Sequence, residues 1–188
     1  MQRLGFFGGC FNPPTIAHYE LALKALKCAK LDKIYFVPMG DCYKKDGLAP
    51  AEDRFQMLKV MTNKNDKLDI SRIQMDQKRK LQAIDTFRLI NKEFCNSKNF
   101  FIMGSDNFEK ISTWKDAKEL LTSYEYIVLS RGNFKEENVI IIEDKISLKK
   151  ISSSLVRNKI LNNENIEKLV TKEVEKYILE NKLYKQTA

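Results

Sequence analysis

Apolar positions along the chain alternate between two spacings. Arg3-Leu4-Gly5-Phe6-Phe7 is a short apolar run of strand character; between His18 and Lys30, Leu21, Ala22, Ala25, Leu26 and Ala29 then repeat at helical spacing, one stripe facing a core. Ile34-Tyr35-Phe36-Val37, stopped by Pro38 and Gly40, predicts a second strand, and Asp53 to Met61 a helix with Phe55, Leu58 and Met61 on its buried side. The change of period recurs: Leu68-Asp69-Ile70 predicts a third strand, Ala83 to Phe94 a helix, and Asn99 to Met103 a strand running into Gly104-Ser105-Asp106. Tyr124 to Leu129, ended by Arg131-Gly132, and Val139 to Ile142 predict two more strands. Beyond them, Ser152-Ser153-Ser154 caps a helix through Ile160, while Ile166, Leu169, Val170, Val174, Tyr177 and Ile178 outline a closing helix pair. Such alternation predicts an α/β fold, a mostly parallel sheet with helices on both faces and a C-terminal helical segment. In such folds ligands sit beyond the carboxyl ends of the strands, here after Phe7, Val37, Met103 and Leu129.

A chain of 188 residues suits one domain, 1–188, with 152–188 as its helical C-terminal part. No stretch has the length and apolarity of a membrane span, and Met1-Gln2-Arg3 runs directly into the first strand without a secretory signal, so the expected location is the cytoplasm, with no membrane partner. Cys10, Cys28, Cys42 and Cys95 form no CxxC pair, which argues against a disulfide framework or a zinc knuckle. The single histidine excludes mechanisms that need two. A formal charge of +8 favours anionic partners, yet the lysines are scattered among glutamates and asparagines, which suits a phosphorylated small molecule better than a nucleic acid. The oligomeric state, a homo-oligomer included, stays open.

The densest chemistry lies in Gly8-Gly9-Cys10-Phe11-Asn12-Pro13-Pro14-Thr15-Ile16-Ala17-His18. Paired glycines let a backbone approach a ligand closely, and a helix starting near Ala17 aims its unpaired N–H groups at the same space. There His18 is placed to donate to a phosphate oxygen. The segment has neither the lysine of a P-loop nor the spacing of a dinucleotide fingerprint. Near the other end, Lys150-Ile151-Ser152-Ser153-Ser154-Leu155-Val156-Arg157 sets hydroxyls before a helix and an arginine in its early turns, a pattern that caps a helix or grips an anion.

The first block resembles the nucleotidylyltransferase superfamily whose phosphate loop carries a histidine-x-glycine-histidine or threonine-x-glycine-histidine motif, with Thr15-Ile16-Ala17-His18 in the motif's place. Ala17 stands where the motif has glycine. The second block is similar to the superfamily's Ile-Ser-Ser-Thr-x-Ile-Arg segment, and from Gly8 through Arg157 the chain most resembles the bacterial nicotinate-nucleotide adenylyltransferase family, with its Rossmann-like fold. The resemblance implies that Gly8, Gly9, Cys10, Phe11, Thr15, His18, Gly104, Asp106, Arg131, Ser153, Ser154 and Arg157 bind ATP, with His18 and Arg157 catalytic. Acceptor contacts are implied for Asn12, Lys44, Lys45, Gln82, Ala83, Asp85, Thr86 and Trp114, with Lys44 or Lys45 meeting the incoming phosphate and Lys44 counted as catalytic. Gln82-Ala83 occupies the place of the family's usual tyrosine-threonine pair, and Arg54 resembles a structural position of the family.

The implied reaction is Mg²⁺-assisted adenylyl transfer from ATP to nicotinic acid mononucleotide, giving deamido-NAD and pyrophosphate, with Mg²⁺ held by ATP and water and no protein metal ligand. Two alternatives stay in view: adenylyl or cytidylyl transfer to another phosphate-bearing acceptor such as nicotinamide mononucleotide, prompted by Thr15 and Gln82-Ala83, and a non-catalytic nucleotide-binding regulatory protein, prompted by Ala17 and the altered acceptor segment.

Overall fold

A computed structural model describes residues 1–43, 47–130, 134–143, 148 and 150–185. Its six described strands form one parallel sheet: β1 (Gln2–Gly9), β2 (Lys33–Pro38), β3 (Leu68–Ile70), β4 (Ser97–Gly104), β5 (Glu125–Ser130) and β6 (Ile140–Glu143), in the order β3-β2-β1-β4-β5-β6. β1 lies in the middle, with Phe7 opposite Phe36 of β2 on one side and Ile102 of β4 on the other.

Both faces of the sheet are apolar because neighbouring residues of a strand point to opposite faces. Phe7, Phe36, Phe100, Ile102, Ile127 and Leu129 face one core, while Phe6, Val37, Phe101, Met103, Tyr126 and Val128 face the other. The first is covered by α1 (Ile16–Cys28) and α2 (Ala51–Thr62), the second by α3 (Ala83–Glu93) and α5 (Ala117–Ser123). Between β4 and α5 the chain makes the one-turn helix α4 (Ser105–Phe108) and a 3₁₀ turn at Ile111–Thr113, short elements that the apolar spacing did not announce.

The C-terminal segment joins the first core. Val156 and Ile160 of α6 (Ser153–Leu161) and Val174 and Ile178 of α7 (Lys172–Glu180) are buried there. Ile166 and Val170, expected within the closing helix pair, are buried from the turns between α6 and α7. Tyr177 of α7 donates to Asp53 Oδ1 of α2 at 2.9 Å. Burial and that hydrogen bond push its hydroxyl up to about 12.

The buried side of α2 differs from the expected one. Arg54, Met57, Leu58 and Met61 face inward, whereas Phe55 lies under the Arg72 guanidinium, 4.8 Å from ring centre to Cζ. A charged side chain occupies a core position, so hydrophobic spacing alone rotated the helix by about one residue.

Candidate active site

Beyond the carboxyl ends of the strands two hollows adjoin. One, of about 300 Å³, is bordered by His18, Asp106, Leu129, Ile151 and Ser153; the other, of about 430 Å³, by Cys10, Gln74, Ala83, Phe87 and Trp114. Gly8, Gly9 and Asn107 border both. The junction lies where β1 ends between β2 and β4, the point at which connections leave for opposite sides of the sheet.

The two glycines act differently. A Cβ added at Gly8 would meet no atom within 4 Å, so it would stand in the open space where the hollows meet. A Cβ at Gly9 would sit 2.9 Å from Phe11 Cζ. Phe11 adopts the left-handed conformation (φ 49°), and its ring packs edge-on against Phe7 and Phe36. That ring, assigned to ATP by resemblance, is core, and glycine at position 9 is what allows it to lie so close.

α1 begins at Ile16 with Thr15 as its N-cap, so His18 is the third helical residue. Thr15 and His18 form a capping box in which the Thr15 N–H donates to His18 Nδ1 at 3.0 Å and Thr15 Oγ1 lies 2.7 Å from the same nitrogen. A nitrogen that accepts an N–H carries no proton, which assigns the neutral ring's hydrogen to Nε2. Phe7 and Phe11 flank the imidazole, with ring centres 6.0 and 5.2 Å away. Thr15 and Ala17 are both buried and border the same hollow as His18. Gly104 and Asp106, at the end of β4 and the start of α4, border it from the opposite side.

The C-terminal serine-arginine block reaches this loop through its backbone. Ser152 caps α6 by accepting the Leu155 N–H at 3.1 Å, and Ser153 Oγ donates to Pro13 O at 2.8 Å. Ser152 and Ser153 border the hollow of His18. Arg157, one turn on, donates to Asn12 O at 2.7 Å and to Ser154 Oγ at 3.3 Å. Arg157 borders a different hollow, of about 740 Å³, shared with Pro50, Leu161, Lys182 and Tyr184. The structure thus brings His18 and Ser153 together and puts Arg157 and the exposed Ser154 behind the loop.

Asn12 is likewise turned away from the cleft. Its side chain, 5 % exposed, donates from Nδ2 to Gly47 O at 2.7 Å, and its Oδ1 accepts from Ala49 N at 3.0 Å and Tyr184 Oη at 2.9 Å. Arg54, fully buried, holds the same region. It donates to Ala49 O at 2.8 Å and Cys10 O at 3.0 Å and faces Asp41 at 3.4 Å. Burial draws its guanidinium down from the usual arginine value, an effect Asp41 opposes.

Of the expected acceptor contacts, Ala83, Thr86 and Trp114 border the larger hollow, and so does Cys10, expected on the ATP side. Gln82 is the N-cap of α3, and Asp85 completes its capping box by accepting the Gln82 N–H at 3.1 Å, which together with Arg79 holds its carboxyl below the usual range. These two residues shape the helix start and lie outside the hollow's lining. Gln74, not singled out in the sequence, donates from Nε2 to Thr86 Oγ1 at 2.8 Å, and Thr86 Oγ1 donates to Gln82 O at 3.3 Å. It sits in the polar stretch after β3, where nothing in the spacing marks it. Asn107, which borders both hollows, was legible only as a neighbour of Asp106. None of the described residues bordering the larger hollow is charged, so a ligand there meets aromatic faces and dipoles.

Lys44, Lys45 and Arg131 lie outside the described residues. Among the described residues no group of three or more histidine, cysteine, aspartate or glutamate side chains could hold a metal ion, and Asp106 is the carboxylate bordering the hollow of His18. No helix among them is long and apolar enough to cross a membrane.

The sequence profile of the cytidylyltransferase-like family matches residues 6–159. A protein of Halalkalibacterium halodurans named a probable nicotinate-nucleotide adenylyltransferase is 33% identical over 194 residues, covering 98% of this chain and 92% of the relative. One of the same name from Acholeplasma laidlawii is 35% identical over 187 residues, covering 96% of each. The solved structure of Plasmodium falciparum nicotinic acid mononucleotide adenylyltransferase complexed with NaAD superposes with a TM-score of 0.85 at 21% identity, covering 98% of each chain, a likeness of fold. The paired hollows at the end of β1 and the capped histidine beside them therefore belong to a member of the cytidylyltransferase-like family, in its nicotinate-nucleotide adenylyltransferase branch.

Proposed function

We propose that the chain transfers the adenylyl group of ATP to nicotinic acid mononucleotide, giving deamido-NAD and pyrophosphate. The observation that carries this reading is the pair of hollows that meet at Gly8, Gly9 and Asn107, one bordered by an imidazole and the other by an indole. Two substrates bound side by side would bring their phosphates together at the junction. The names of the relatives above point to the same reaction.

In this reading a phosphate oxygen of the mononucleotide attacks the α-phosphorus of ATP, the bond from that phosphorus to the bridging oxygen breaks, and pyrophosphate leaves with the bonding electrons. The attacking oxygen is already anionic, so no general base is required, and the protein's part is alignment and stabilisation of charge. His18 donates its Nε2–H to a phosphate oxygen while Thr15 fixes the tautomer through Nδ1. Ser153 and the Gly8–Gly9 backbone line the triphosphate, Asp106 faces the nucleotide, and Trp114 offers its face to the pyridine. Arg157 serves by holding Asn12. Lys44 or Lys45 is assigned to the incoming phosphate from the sequence alone.

Mg²⁺ is compatible with this donor set: a hard cation that keeps several waters fits a site where phosphate oxygens supply its ligands and Asp106 is the near carboxylate. When bound it neutralises phosphate charge. In this reading residues 1–188 form one domain whose helical C-terminal part secures the phosphate loop through Ser153, Arg157 and Tyr184.

The uncharged lining beside Thr86 also suits a neutral amide, which favours nicotinamide mononucleotide as a second acceptor. Purified chain incubated with Mg²⁺, ATP or CTP, and nicotinic acid mononucleotide, nicotinamide mononucleotide or phosphopantetheine tests this directly. Deamido-NAD with stoichiometric pyrophosphate, formed fastest from the nicotinate substrate and ATP, supports the proposal. Faster turnover of another pair redirects it, and nucleotide binding with no product from any pair overturns it.

A further inference from the structure

The phosphate loop is fastened from behind by the C-terminal end of the chain. Among the described residues four hydrogen bonds join them: Ile16 N–H to Leu169 O at 2.9 Å, Ser153 Oγ to Pro13 O at 2.8 Å, Arg157 Nη1 to Asn12 O at 2.7 Å, and Tyr184 Oη to Asn12 Oδ1 at 2.9 Å. The last differs in kind, because Asn12 is a node. Its amide nitrogen holds Gly47 O, its amide oxygen takes the Ala49 N–H together with the Tyr184 hydroxyl, and its main-chain oxygen takes Arg157. With two donors facing Oδ1 and a carbonyl facing Nδ2, only one amide orientation satisfies every partner. Tyr184 therefore helps to fix which way Asn12 points, and Asn12 lies three residues beyond Gly9 at the junction of the two hollows.

From this arrangement we infer that Tyr184 is a positioning residue for adenylyl transfer, acting through Asn12 on the backbone of Gly9 and Cys10. Its hydroxyl is suited to the part. Burial pushes it above the usual tyrosine range against the pull of Arg157 and Arg54, so it remains a donor at neutral and mildly alkaline pH. The left-handed backbone at Tyr184 (φ 63°), four residues past the end of α7, turns the side chain back toward the loop. A hydrogen bond to an otherwise satisfied acceptor is a modest interaction, so its loss should loosen the loop without unfolding the chain. Loops that align reacting phosphates are sensitive to shifts of well under an ångström.

The inference rests on the proposed transferase activity, and its test separates the two. Tyr184→Phe keeps the ring and removes the hydroxyl. At 25 °C kcat should fall about threefold to tenfold, the range set by losing one such hydrogen bond, while KM for ATP and for the acceptor stays within about twofold. A purely structural tyrosine would lower the melting temperature and leave kcat of the folded enzyme unchanged. Amide exchange at Ala49, whose N–H shares Asn12 Oδ1 with the phenol, should quicken in Tyr184→Phe. Unchanged kcat in that variant, or a fall in kcat accompanied by parent-like exchange at Ala49, overturns the inference. If the parent transfers no adenylyl group the function proposal falls instead, and exchange at Ala49 alone decides whether the strut exists.

Discussion

His18 caps a helix in this structure and is proposed to bind phosphate as well, and different substitutions pull the two roles apart. As the third residue of α1 it accepts the Thr15 N–H; as the imidazole beside the smaller hollow it is assigned to donate to phosphate. His18→Ala loses both. The missing cap costs about 0.5–2 kcal/mol of stability, and removal of a donor from a developing oxyanion lowers kcat by about 10²–10³-fold. His18→Glu restores the cap, because glutamate is the usual residue at this place in a capping box. It also puts an acidic side chain in a first turn that has none, worth about 0.3–1 kcal/mol. Against this stands the loss of ring contacts to Phe7 and Phe11, about 0.5–1.5 kcal/mol for each favourable aromatic pair. The glutamate variant should therefore lie about 0–3 kcal/mol below the parent, and the alanine variant, which loses the same two ring contacts and the cap as well, lower still. Activity of the glutamate variant should be the lowest of the three: a carboxylate about 4 Å from a phosphate charge is repelled by about 4 kcal/mol at an effective dielectric constant near 20. Urea midpoints and pyrophosphate release read the two orders independently. If turnover followed stability, with His18→Glu more active than His18→Ala, the histidine would be a helix cap and nothing more.

Three further outcomes follow from named contacts. Gly8→Ala should fold as stably as the parent, since its Cβ meets nothing within 4 Å, yet should reduce kcat/KM by filling the junction of the hollows; unimpaired turnover in that variant would show that ligands bypass Gly8. Arg54→Met leaves the carbonyls of Ala49 and Cys10 without their donor, at about 1–3 kcal/mol each, so the urea midpoint should drop by the equivalent of about 2–6 kcal/mol; a loss under about 1 kcal/mol would mean that the loop is held by other contacts. In alkali, Tyr177, at about 12 in the folded chain, keeps its proton after an unfolded tyrosine, near about 10, has lost it. Its contribution is complete below about pH 10 and disappears as the pH rises through about 12, so stability should decline across that window and decline less in Tyr177→Phe. An equal decline in both chains would remove Tyr177 from the explanation.

Most of the fold was legible because a parallel sheet covered on both faces writes itself as apolar runs, and the amphipathic helices between them as a change of period. Phe6-Phe7 and Phe100-Phe101-Ile102-Met103 are such runs, with neighbours sent to opposite cores. What spacing could not show is a core position filled by charge. Arg54 reads as a surface residue until its carbonyl partners are known, and the buried face of α2 was accordingly misplaced onto Phe55. The turns after α6 failed for a related reason: Ile166 and Val170 are buried by the tertiary fold, and burial of scattered apolar residues in a turn mimics helical spacing.

Within the site, motif and geometry part company at the hydrogen-bonding residues. Resemblance singled out the glycine loop, the histidine and the serine block, and the structure gathers His18, Asp106 and Ser153 around one hollow, with the Ser153 hydroxyl also donating to Pro13 O. It gives Asn12, Asp85 and Arg157 a different occupation. Their polar atoms are spent on backbone groups: Asn12 on Gly47 and Ala49, Asp85 on Gln82, Arg157 on Asn12. A loop that brings bare backbone to a ligand must leave that backbone uncovered, as at Gly8, where an added Cβ would meet nothing; Phe11 anchors the loop in the core beside Gly9. The rest of its rigidity comes from side chains that bind its carbonyls and amides from behind. Such residues occupy the same sequence motif as the ligand-binding ones and have the same chemistry, so only the direction of each side chain separates a residue that touches phosphate from one that keeps the loop in place to do so.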